Sequence, residues 1–357
     1  MNDILPFLKS LISVPGLSAY EEPVLRLIQK EWTPLADELS LSRLGSLQAL
    51  KRGSGKGKRN SIMVATHMDA IGLIVSGIVE GMLQIYEIGG VDPRILPGMP
   101  VLVHGRRDLP GVVVSPPKLT LPEDKRSGAP GLANLMVDVG LPAESVRRLV
   151  NVGDLISFDT QPVELAGETL SGHSLDNRAS VAALTICLDE LSHKDHTWDV
   201  WAVATVQEEE TYAGAMSSAH ELQPDLAVAI DVTHAKGPGT DGWQAMGLGK
   251  GPGLGWGANL HPFLYKKFDE LAKKLEIPAA LDPMPQHSGT DAYAIQVARE
   301  GIPCMLLSIP LRYMHTPVEV IAIKDVQRTG RLLAEFIAGL GPDFLSEITW
   351  EDEDAGK

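Results

Sequence analysis

The chain has 357 residues, 44% of them hydrophobic. That is enough apolar surface for two cores and too much for a disordered polymer. Lys and Arg number 31 against 46 Asp and Glu, a formal charge of −15, and an acidic surface repels nucleic-acid phosphates and anionic membranes alike.

Two amphipathic helices are expected first. One carries Leu5, Leu8 and Ile12; the other starts near Pro23 and sets Val24, Leu27, Ile28 and Trp32 on one stripe. The opening Met1-Asn2-Asp3-Ile4 has an acid where an export signal needs base, and Lys9 interrupts its apolar stretch. The basic, Gly-rich segment 51–60 reads as a surface turn, followed by a buried strand over 61–66 that ends at His67. From about 71 to 167 the texture changes to short β-rich runs at 72–79, 83–88, 101–104, 112–114 and 155–158, punctuated by Gly and Pro without a long amphipathic helix. Segment 116–130 reads as a polar loop. This pattern predicts a small β-barrel-like domain inserted into the first one.

After Ser171 strand and helix alternate. Helices are expected after Asp176 and over 262–275, 291–299 and 324–338; strands over 198–206, 226–231 and 302–309. The longest apolar runs are of strand length, far short of the roughly 20 residues a membrane span needs. The fold class is therefore α/β: a mixed sheet flanked by helices, in two segments (1–70 and 168–357) around the insertion. The end, 351–354, is acidic. Cys187 is expected in a helix and Cys304 in a strand, and two such thiols suit a reducing cytoplasm better than a disulfide framework.

The polar residues that follow these strands carry the chemistry. His67 and Asp69 follow the first strand, Glu208, Glu209 and Glu210 the one ending at Val206, Asp231 the next, and His315 the last. Ligands of α/β sheets collect beyond the carboxyl ends of strands. Taken singly, each has an ordinary explanation: Asp176 as a helix cap, the Glu run as a solvated face, His315 as a loop histidine. Together, the order His67, Asp176, Glu208-Glu209, Asp231, His315 supplies five ligands and one spare carboxylate, a mixed imidazole–carboxylate set suited to Zn or Co, with Mn also possible. Five ligands with one carboxylate shared can hold two divalent ions roughly 3.5–4 Å apart. The His67-x-Asp69 spacing suits a ligand histidine oriented by a carboxylate.

The chain resembles the tetrahedral (TET-type) dinuclear metallo-aminopeptidases, some of which carry glutamyl aminopeptidase or endoglucanase labels. The resemblance rests on Ala65-Thr66-His67-Met68-Asp69, Ser174-Leu175-Asp176-Asn177-Arg178, Ala204-Thr205-Val206-Gln207-Glu208-Glu209, Ala229-Ile230-Asp231-Val232, Ser288-Gly289-Thr290-Asp291 and Arg312-Tyr313-Met314-His315-Thr316-Pro317, in the family's order over nearly the whole chain. It implies a zinc-peptidase-like fold and a role for each residue. Asp176 would bridge two ions, His67 and Asp231 would complete one site, and Glu209 and His315 the other. Glu208 would act as general base, with Asp69 orienting His67. The substrates would be short peptides with a free N-terminus, and the insertion would serve a hollow homo-oligomer, commonly a dodecamer. The chain departs from the family pattern at Glu210, where a small or apolar residue is usual, and at Ala70, often acidic in relatives.

Three rival readings remain at this level. One is a related hydrolase of N-acyl amino acids or a carboxypeptidase, which shares the ligand order. Another is a glycosidase, which would leave the two histidines idle and find few stacking platforms among 5% aromatic residues. The third is a peptide-binding scaffold with a degenerate site. Glu208, Glu210, Asp231 and Asp291 offer acceptors for a substrate ammonium.

Overall fold

The computed structural model describes residues 3–350 apart from 56, 118, 120–122 and 124–129. Most of the expected loop at 116–130 and all of the acidic end lie outside the described residues. The described residues build an eleven-stranded mixed sheet and a separate closed barrel of six strands.

The centre of the large sheet is Asp199–Thr205, Ser61–His67, Leu226–His234 and Cys304–Arg312, side by side and parallel. These strands are almost continuously apolar because both faces are covered. Antiparallel strands flank them: Leu47–Lys51 and Glu38–Leu41 on one side, Glu319–Ala322, Thr169–Gly172 and Val163–Leu165 on the other. One face carries the buried helix Leu175–Leu191, packed against Ile323–Ala338. Their close approach needs Gly330, where a Cβ would strike Ala183 and Ile186.

The barrel runs Gly72–Val79, Met82–Ile88, Met136–Asp138, Asp108–Val114, Pro100–His104 and Leu155–Phe158, closed by the pairing of Leu73 with Ile156. Alternate residues fill its interior, including Leu73, Val75, Leu83, Val101, Val103 and Ile156, a core distinct from that of the large sheet. A short helix, Ala143–Leu149, adds Val146 to that core.

Several expected boundaries move. The strand beginning at Leu226 runs on to His234 because Cys304–Arg312 keeps pairing with it as far as Leu311. Asp231 therefore lies inside a strand and does not end it. The helix expected over 291–299 stops at Gln296. The strands Glu38–Leu41, Glu319–Ala322, Gly253–Gly257 and Ala280–Met284 were not expected. They are only four or five residues long, so their pairing partners decide them more than their own pattern does.

Candidate metal centre

The strands Ser61–His67 and Asp199–Thr205 end level with Asp231 of the longer neighbouring strand, and His67, Asp69, Asp176, Glu208, Glu209, Asp231 and His315 meet there. His67 closes its strand in register with Thr205. Beyond Thr205 the chain turns at Gln207, at φ 59°, and opens a short helix that begins with Glu208 and Glu209. Asp231 arrives on the neighbouring strand. Asp176 enters after Ser174, at φ 64°, where the first torsions of helix Leu175–Leu191 are not yet helical. His315, itself at φ 61°, sits in the turn between Cys304–Arg312 and Glu319–Ala322. Left-handed torsions at residues other than glycine cost on the order of 1–3 kcal/mol each and persist where the surroundings over-determine them. Here they accompany three of the turns that deliver candidate ligands.

Asp176 lies between the two histidines. Its Oδ1 is 3.2 Å from His67 Nε2, and its Oδ2 is 3.6 Å from His315 Nε2. His67 Nε2 also faces Glu208 at 3.7 Å and Asp231 at 3.8 Å, while His315 Nε2 faces Glu209 at 3.3 Å. Ligand atoms of His67, Glu208 and Asp231 all lie within 4.8 Å of one another, as do those of His67, Asp176 and Glu209. Each imidazole is held from behind. His67 Nδ1 is 3.2 Å from the Asp69 carbonyl, and His315 Nδ1 is hydrogen-bonded to the Gly90 backbone. Both Nε2 atoms are thus left to the cluster.

The electrostatics ask for a cation. Burial pushes Glu208 and Asp231 well above the ordinary carboxylate range. The opposing pull of His67 does not cancel it, and neighbouring carboxylates raise them further: Asp231, Asp291 and Glu209 for Glu208, Asp176 and Asp291 for Asp231. Burial and Asp176 raise Glu209 likewise, and its Oε1 is buried with no hydrogen-bond partner. The hydrogen bond with Glu209 lifts His315 to about 9. Burial works against a charged His67, yet Glu208, Asp176, Asp69 and Asp231 hold its pKa well above normal. Left alone, such a cluster must retain protons; divalent cations replace them. The donor set and the orphaned Glu209 oxygen fit a metal.

Around the ligands runs a shell of groups that hold backbone. Asp69 accepts from Ser18 Oγ at 2.6 Å and from the amides of Glu208 and Glu209 at 3.0 and 3.2 Å. It therefore fixes the Glu-Glu turn as well as His67. Burial opposes its ionisation, but hydrogen bonds to His67, Ser18 and the Glu208 amide keep its pKa below normal. Glu319, 1% exposed, accepts from the amides of both Asp176 and His315, at 3.1 and 3.2 Å. Glu21 accepts from the Gln207 amide. Burial and the charge of Asp69 raise its pKa to about 7. Arg178 is fully buried and donates to the carbonyls of Met68, Leu11 and Val14, joining the first helix to the site. The roles of Glu319, Glu21 and Ser18 do not show in the sequence. The one available signal was a carboxylate opening the apolar strand Glu319–Ala322.

Asp291 is buried and binds Thr205 Oγ1 through Oδ2, leaving Oδ1 unpartnered; burial raises its pKa to about 6. Glu210 is engaged with the barrel, accepting from the Gly89 amide at 2.6 Å. Ala70 is buried in a bridge with Leu17, a place where a carboxylate would need a partner.

Residues 45–332 match the M42 glutamyl aminopeptidase family. The chain belongs to that family. A lysyl aminopeptidase from Pyrococcus furiosus is 35% identical over 94% of this chain and 97% of its own length. The crystal structure of a TET aminopeptidase from a marine sediment Thaumarchaeota archaeon superposes with a TM-score of 0.91 at 30% identity, covering 97% of this chain and 99% of that one. The Pyrococcus horikoshii TET1 peptidase, which can assemble into a tetrahedron or a large octahedral shell, gives 0.81 at 30% identity over 95% and 100%. As an M42 member the chain is a metal-dependent aminopeptidase, a hydrolase of peptide bonds. No described helix is long and apolar enough to cross a membrane.

Proposed function

We propose that this aminopeptidase holds two divalent ions per chain, zinc or cobalt in the first instance, and releases N-terminal residues from short peptides. The observation that carries the reading is Asp176, with one carboxylate oxygen toward each histidine. Asp176 would bridge, His67 and Asp231 would serve one ion, and Glu209 and His315 the other. When bound, the ions supply Lewis acidity that brings a water's pKa toward neutrality.

Glu208 acts as the general base. It is buried beside the ligands, and burial raises the proton affinity of its carboxylate, which can take a proton from water and pass it to the leaving amine. Asp69 positions it by holding its amide. The free amino terminus of a substrate carries a positive charge, and the free Oδ1 of Asp291 with the neighbouring carboxylates offers charge-assisted acceptors for it.

The catalytic part spans 1–70 and 168–357, and the insertion, 71–167, serves assembly and access. The shells formed by the TET1 relative support a homo-oligomer here, a tetrahedral dodecamer being the first expectation. A site enclosed in such a shell admits short unfolded peptides and excludes folded proteins. Two buried free thiols favour the cytoplasm.

The test compares a short peptide with its N-acetylated form, with and without a chelator. Chelator-sensitive release of the first residue from the free peptide alone is the expected result. Equal rates on both peptides would move the function to an acyl-amino-acid hydrolase.

A further inference from the structure

Glu210 is the third acid in a row, and repulsion from Glu208 and Glu209 alone would turn it toward water. Instead its Oε1 accepts the Gly89 amide at 2.6 Å. Gly89 lies just past the barrel strand Met82–Ile88 and takes φ 70°, a torsion that glycine adopts freely. The next residue, Gly90, lies so close to His315 that a Cβ there would sit 2.9 Å from Nδ1. That imidazole nitrogen is hydrogen-bonded to the Gly90 backbone. Two residues on, the Asp92 amide donates to the His315 carbonyl at 3.3 Å. Within the barrel, Glu87 accepts from the Val91 amide at 3.2 Å. Segment 89–92 is thus pinned to the large sheet at both ends, by Glu210 at one and His315 at the other. The segment in turn sets which nitrogen of His315 faces Asp176 and Glu209.

We propose that Glu210 is a positioning residue, latching barrel segment 89–92 to the turn that carries Glu208 and Glu209 and thereby fixing His315 as a ligand. Its ligand clause rests on the two-metal reading; the latch itself does not. The Glu210–Gly89 contact is exposed and reaches His315 only through the Gly90 backbone, so its effect falls below the 10–100-fold typical of a group bonded directly to a ligand.

The experiment uses the full-length chain with Glu210→Ala and Glu210→Gln. Hydrogen exchange of segment 87–92 is followed in the metal-free protein, and zinc affinity is measured by titration against a chelator. In the Ala variant, exchange accelerates about three- to tenfold, and one of the two ions weakens by a similar factor while the other is unchanged. The Gln variant matches the parent on both readouts, because its amide oxygen still accepts from Gly89. Unchanged exchange in the Ala variant overturns the latch, as does a Gln variant that behaves like Ala. Equal weakening of both ions overturns the specific link to His315. A parent protein that binds no zinc sinks the two-metal reading and the ligand clause with it, while exchange still decides the latch.

Discussion

Replacing Glu319 by Gln separates two contributions that the structure superimposes. Glu319 is 1% exposed and accepts from the Asp176 amide at 3.1 Å through one oxygen and from the His315 amide at 3.2 Å through the other. A Gln side chain keeps one acceptor and turns an NH2 toward the second amide. One buried donor is then stranded, at about 1–3 kcal/mol. The charge acts in the opposite direction in the metal-free protein. Burial and the neighbouring Asp176 and Glu209 push Glu319 well above the ordinary carboxylate range, so removing that charge relieves repulsion. The two changes partly offset each other without metal. With metal present the lost negative charge and the loosened Asp176 and His315 backbones both act against binding. We expect Glu319→Gln to change the metal-free unfolding free energy by less than about 2 kcal/mol while weakening metal affinity about 10–100-fold. Glu319→Ala strands both amides and lowers metal-free stability by about 2–6 kcal/mol. Urea denaturation of the metal-free protein and competitive chelator titration measure the two quantities. Metal affinity of Glu319→Gln within twofold of the parent would refute the reasoning.

Glu208→Gln keeps its metal but loses at least about 100-fold in kcat, because the amide cannot carry the proton; Glu209→Gln weakens a single ion, read by metal analysis of both variants. His315 holds its proton up to about pH 9, chiefly through Glu209. Ligation needs the neutral imidazole, so metal affinity climbs with pH below 9, by up to about tenfold per unit for this one proton. Calorimetry in two buffers of different ionisation heat should register its release, and identical heats would exclude it. Burial and the charge of Arg178 depress His173 to about 3. Its unfolded form takes a proton below about pH 6.5 and its native form does not. Native stability therefore falls as pH drops from 6.5 toward 3, by about 2 kcal/mol at pH 5 from this residue. His173→Gln should flatten that part of the denaturation profile, and an unchanged slope would remove His173 as its source.

The parts of the molecule that the sequence displays are those in which one residue's chemistry is legible without its neighbours. The central strands announce themselves because burial on both faces demands unbroken Val, Ala and Ile, as in Leu226–Ile230. The ligands stand out because a carboxylate or imidazole after such a strand needs a reason to be there. Asp231 shows the limit: its strand continues to His234, and the pairing with Cys304–Arg312 that prolongs it is non-local. The edge strands Glu38–Leu41 and Val163–Leu165 carry exposed residues almost throughout, so their period-2 signal vanishes.

The positioning shell was hidden for a different reason. Glu21 and Glu319 act on backbone amides, as Asp69 does besides its expected place beside His67, and an amide has no residue type by which a sequence could show it. Glu21 grips the Gln207 amide from across the fold; Glu319 grips that of Asp176. Only closing the chain reveals which turn each carboxylate holds. The same argument explains why the strained torsions at Ser174, Gln207 and His315 need no glycine. A buried acid or a hydrogen-bonded imidazole at each turn supplies the compensation: Glu319 beside Ser174–Asp176, Glu21 and Asp69 beside Gln207–Glu209, and the Gly90 backbone with Glu319 at His315. Removing any one of these holders should relax its turn toward ordinary torsions before it disturbs the strand beneath. The precision of the site is therefore set by the acids behind it as much as by the ligands in it.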